Sequence, residues 1–267
     1  MLWTSLESVA EGIYRRVCPL YGVDHRDHLH VVGSAIPFDS RGFRFLLSAA
    51  HVCLEDDGSP RPLFTMGAEK EWPLVGRRGS WEYKPTRMPD IDIAVIGLDD
   101  ACADDLQQYY QFTTPADVAT LEPRTPLTHF FVAGYAATRN RFRSVGHGLP
   151  SRATFLVARD LVDLSNLQAA DKTDEQHFAL SVPTMPIRKL GGGMFHLPKP
   201  HGMSGGGVWR FEVDDRSRLI STPRLIGVSI EHHKRENAFL ATRVQMAIPL
   251  AHDLFDLVRQ DRTVSET

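Results

Sequence analysis

The chain has 267 residues, enough for one large domain or two small ones around a real apolar core. Hydrophobic residues make up 42% and charged residues 24%, which excludes a chain dominated by disorder. The balance of 30 basic against 33 acidic residues, a net charge of −3, leaves no electrostatic footprint for nucleic acid.

No apolar run approaches ~20 residues, so no membrane span is expected. Cys18, Cys53 and Cys102 form an odd set in a chain too large to need disulfide staples. That usage points to a reducing compartment, read here as the cytoplasm. The first residues carry Glu7 and Glu11 and no basic-then-apolar run, so no secretory signal is expected. With 20 Gly and 17 Pro, turns are frequent and the fold class leans to all-β.

Residues 1–22 read as an N-terminal helix. Leu6, Val9, Ile13 and Val17 recur at helical spacing, and Thr4 with Glu7 fits a capping box. Its apolar face is expected to dock on the body of the protein. Residues 23–98 then alternate short apolar runs with turn signals. The runs are His30–Ile36, Phe43–Ala50, Trp72–Val75 and Ile91–Leu98, the pattern of a small β-barrel. Residues 99–124 form an acidic, proline-broken connector, with a short helix expected around Asp104–Phe112. A second strand-rich unit covers 125–248. Its basic stretch (Arg139, Arg141, Arg143) and its acidic stretch (Asp160 to Glu175) read as solvated loops. The tail, 249–267, is again helical, with Pro249 at a first helical position and Leu250, Leu254, Leu257 and Val258 on one face.

Three segments carry the chemistry: Leu46-Leu47-Ser48-Ala49-Ala50-His51, Asp92-Ile93-Ala94-Val95-Ile96 and Gly202-Met203-Ser204-Gly205-Gly206. Each alone has a bland reading as a structural histidine, a turn aspartate or a loop serine. Together, in this order, they resemble the trypsin-like (chymotrypsin-fold) serine peptidases over roughly residues 28–261. The resemblance implies an all-β fold of two six-stranded antiparallel β-barrels with N-terminal and C-terminal helices. The first barrel would supply His51 and Asp92, the second Ser204. It also implies an oxyanion hole from the N–H groups of Gly202 and Ser204. A serine hydroxyl is a weak nucleophile and needs a base, which a carboxylate in turn orients.

The chain departs from the digestive branch of that family. Met203 stands where those members carry an acidic residue for the zymogen salt bridge, so that activation is not expected. The bacterial or intracellular branch is the better match. By the same resemblance Pro198 lines the base of the primary pocket, and Ser229, Ile230 and Glu231 form one wall that pairs with substrate backbone. Glu231 favours a basic side chain and Lys199 an acidic one, so specificity stays open.

No metal is expected. The clusters His25, His28, His30 and His232, His233 lack the spacing of a zinc site. Gly191-Gly192-Gly193 lacks the lysine of a phosphate loop and reads as a flexible loop beside the site. The expected activity is cleavage of a protein or peptide substrate, with no cofactor. Control is expected from a regulatory protein partner, from loop ordering or from narrow specificity. The other reading is a catalytically silent peptide-binding module on the same fold.

Overall fold

The computed structural model describes residues 9–25, 28–55, 57–68, 70–74, 91–122, 125–138, 153–158, 160–167, 172–182, 187–188, 194–195, 200–216, 218–253 and 256. The fold is all-β, built on two curled antiparallel sheets, as the two-barrel expectation requires. The first sheet contains β1 (Cys18–Val23), β2 (Leu29–Ser40), β3 (Phe43–Ser48), β4 (Phe64–Met66), β5 (Glu71–Pro73) and β6 (Ala94–Gly97). Their order is β5-β4-β1-β2-β3-β6. The second sheet contains β7 (Thr128–Gly134), β8 (Thr154–Ala158), β9 (Leu161–Val162), β10 (His177–Ser181), β13 (Gly207–Glu212), β14 (Arg224–His233) and β15 (Ala238–Arg243). Their order is β8-β7-β13-β14-β15-β10-β9. Between them in sequence, β11 (Ile187–Arg188) and β12 (Met194–Phe195) make a separate two-stranded ladder.

The two sheets share an apolar interior. Tyr21, Val31 and Phe45 of the first pack in one cluster with Phe131, Trp209 and Phe211 of the second. Fully burying one large apolar side chain contributes about 1.5–3 kcal/mol, so this shared cluster joins the halves. The N-terminal helix, described over 9–14, sends Val9 and Ile13 into it. The C-terminal helix, described from 247, adds Ala247 and Ala251, and its His252 ring bonds Ser40 Oγ at 3.0 Å. The N-terminal helix thus covers the body with the face its spacing suggested, while of the expected C-terminal face only Leu250, partly buried against the same cluster, lies among the described residues.

Three boundaries differ from the sequence reading. Helix does not run to residue 22: Cys18–Val23 is strand β1, central in the first sheet, with five of its residues buried. The second sheet has seven strands rather than six, because Leu161–Val162 inside the acidic stretch pairs with Ala179 and Leu180. The connector helix spans Asp100–Tyr109, starting where the Asp99 carboxylate caps the Cys102 N–H at 2.7 Å. The basic stretch at Arg139, Arg141 and Arg143 and the Gly191–Gly193 loop lie outside the described residues.

Candidate active site

The register of the first sheet brings His51 to Asp92. β3 pairs with β6 so that Ser48 faces Ala94. His51 follows β3 in the short helix Ala50–Cys53, and Asp92 precedes β6 by two residues. The Asp92 carboxylate then takes two hydrogen bonds from one residue. His51 N–H donates to Oδ1 at 2.9 Å, and the imidazole Nδ1 meets Oδ2 at 2.6 Å. Burial pushes the Asp92 carboxyl up. The ring hydrogen bond, the charge of His51, its backbone N–H and the more distant Lys172 outweigh that and hold it below the usual carboxylate range. This arrangement presents Nε2 as the basic nitrogen. Among the described residues Nε2 has no hydrogen-bond partner, and half of the His51 side chain is exposed.

Ser204 sits in a turn that enters β13. Met203 N–H donates to Pro200 O and Gly206 N–H to Met203 O. Gly205 N–H donates to Ser229 O at 2.7 Å, and Ser229 N–H returns to Gly206 O at 2.8 Å. Gly202 and Gly205 take φ of +89° and +84°. A Cβ on Gly205 would lie 2.0 Å from Ser34 O and 2.2 Å from Ser48 Oγ, so only glycine fits there. Among the described residues, the N–H groups of Gly202 and Ser204 have no acceptor, which leaves both for an oxyanion.

His51, Asp92, Gly202, Ser204, Ile230 and Glu231 line one cleft of about 1090 Å³. The structure thus brings together the expected base, its carboxylate, the serine and one wall. The serine hydroxyl, however, donates to the Ile230 carbonyl at 3.1 Å. Ser229, expected on the substrate wall, is 1% exposed with both backbone groups bonded to the Ser204 turn, so it supports the turn from beneath. Pro198 and Lys199 lie outside the described residues. Beyond Val228, β14 pairs only with β15 among the described strands, which leaves the 230–233 edge open on the cleft side. His232 also lines the cleft, its ring 4.9 Å from that of Phe239, and burial pulls its pKa down.

Sequence reading missed Ser34, Ser48 and Lys172. Ser34 and Lys172 lie in no motif, and Ser48 stands in the His51 segment without a role of its own there; the two serines are small polar residues inside apolar strands, and Lys172 acts on Asp92 through its charge. Among the described residues no cluster of three or more His, Cys, Asp or Glu side chains could hold a metal. No helix among them is long and apolar enough to cross a membrane.

No protein-family model matches the chain, and no curated protein matches it by sequence. Solved structures of similar fold include serine proteases. The active form of the Rv3671c protease from M. tuberculosis is 12% identical, with 91% of this chain and 82% of that one covered and a TM-score of 0.47. The serine protease domain of the Sesbania mosaic virus polyprotein is 12% identical, with 85% and 88% covered and a TM-score of 0.42.

Proposed function

We propose that this protein is a serine endopeptidase working through His51, Asp92 and Ser204. The observation that carries this reading is the convergence in one cleft of a carboxylate-oriented imidazole, a serine and two N–H groups with no acceptor among the described residues. Ser204 Oγ leaves Ile230 O, attacks the scissile carbonyl carbon and passes its proton to His51 Nε2. The N–H groups of Gly202 and Ser204 receive the oxyanion. His51 then protonates the departing amine, and water releases the acyl group by the reverse sequence of transfers. The open edge at Ile230–His233 suits an extended peptide, which would add as a strand.

Met203 is fully buried beside Ser204, so this site offers no carboxylate for a zymogen-type anchor. Restraint by a partner protein or by narrow specificity belongs to the same proposal. So does a reducing compartment such as the cytoplasm, in keeping with three buried thiols.

A fluorophosphonate probe tests the reading. Wild type labels, Ser204→Ala has no hydroxyl to phosphonylate and does not label, and His51→Ala loses about 10⁶-fold in rate. Equal labelling of all three would overturn it. The second reading, a silent peptide-binding module, draws on the Ser204 hydroxyl being held by Ile230 O. A folded wild type that stays unlabelled even with cell lysate added, yet binds peptide, would establish it.

A further inference from the structure

Ser34 lies in β2 of the first sheet, fully buried, yet it grips the Ser204 turn of the second sheet at two points. Its N–H donates to Ser204 O at 2.8 Å, and its Oγ donates to Gly202 O at 2.9 Å. The same Oγ accepts the Tyr135 N–H at 2.8 Å. Its register partner across β1 is Pro19, which has no N–H to give, and the Ser34 carbonyl accepts from Ser48 Oγ at 2.8 Å. Every polar group of Ser34 is thereby used, and the approach is close enough that Gly134 and Gly205 have no room for a Cβ without displacement.

The two carbonyls held by Ser34 flank the peptide that joins Met203 to Ser204. That peptide carries one of the two oxyanion donors. A peptide plane whose neighbours are both tethered cannot rotate to turn its N–H away from the cleft. We propose that Ser34 is a positioning residue, a cross-sheet clamp that keeps the oxyanion turn in its working shape in place of a charge-based anchor. The proposal rests on the serine-peptidase reading above and deepens it. The turn is set by the folding of the two sheets on each other, with no chain cleavage needed.

Ser34→Ala and Ser34→Cys test it against wild type. Fluorophosphonate labelling is followed across pH, alongside thermal unfolding and amide hydrogen exchange. Removing the hydroxyl lowers the plateau labelling rate about 10–100-fold, less than the 10²–10³ typical of losing an oxyanion donor outright. The midpoint of the pH profile stays in place, because the His51–Asp92 pair is internal to the first sheet. Exchange at Tyr135, Gly205 and Gly206 accelerates. Cysteine fills the space of serine with a poor hydrogen-bond partner and reports the same loss if the alanine variant does not fold. Labelling within twofold of wild type, or a displaced midpoint, would overturn the clamp. A wild type that fails to label defeats the peptidase reading separately; unchanged exchange in the variants would then still refute the clamp, and faster exchange would support it.

Discussion

His51 and Asp92 meet through the register of one sheet, whereas Ser204 is presented by a turn that hydrogen-bonds across to the other. The first pair is half exposed and short-wired: a β3–β6 ladder, two hydrogen bonds, one carboxylate. The second is deeply set. Gly205 and Gly206 are buried, and the turn is tied to Ser34 on one side and Ser229 on the other. The contrast shows that the His51–Asp92 pair is positioned by the first sheet, while the Ser204 turn depends on how the two sheets associate. Substitutions at the two places should therefore separate chemistry from packing.

Beyond the serine and the imidazole themselves, the largest effect is expected at Asp92. Asp92→Asn keeps the shape but can offer the ring nitrogen an amide N–H, which favours the wrong imidazole tautomer; if the proposed triad operates, labelling drops about 10⁴-fold. Thermal unfolding, measured in parallel, should move little, because the amide oxygen can still accept the His51 N–H and the imidazole end of the pair is half exposed. A large loss of stability in Asp92→Asn would erase the distinction between the two regions.

Gly205→Ala should show the opposite profile. Its Cβ meets backbone and a buried hydroxyl in the first sheet, and its φ of +84° strains any L side chain. The expected cost is about 2–5 kcal/mol in urea unfolding, from strain plus overpacking. His51→Ala, at an exposed position, should stay within about 1 kcal/mol. Equal destabilisation by the two substitutions would mean that the sheets do not meet through this turn.

The same contrast explains what the sequence disclosed. His51, Asp92 and Ser204 were legible because each stands in a short local motif whose neighbours, Ala49-Ala50 and Gly205-Gly206, are there for close approach. Strand β1 was not, because the helical spacing of Val9, Ile13 and Val17 continues into the apolar run Cys18–Tyr21, which is buried on both faces and shows no alternation. Leu161–Val162 was hidden by its acidic surroundings and its two-residue length. Ser34, and the role of Ser48 within the His51 segment, were invisible for a different reason. Their roles lie in contacts with distant segments, and a serine within an apolar strand announces no partner.

The smallest expected effect is a slope. Asp92 is held below the ordinary carboxylate value chiefly by hydrogen bonding and charge from His51, against the upward push of burial. A depressed folded value means that the unfolded chain binds the proton more readily. The pair's contribution is therefore fully present above the unfolded value near 3.8 and is lost as pH falls through the lower folded one. Urea midpoints measured from pH 6 downward should fall slightly faster for wild type than for Asp92→Asn, with the curves converging in strong acid. Parallel curves would mean that the Asp92 proton is bound alike in the folded and unfolded chain. The carboxylate would then not be held ionised by the imidazole, and the His51 corner could not serve as the self-sufficient half of the site.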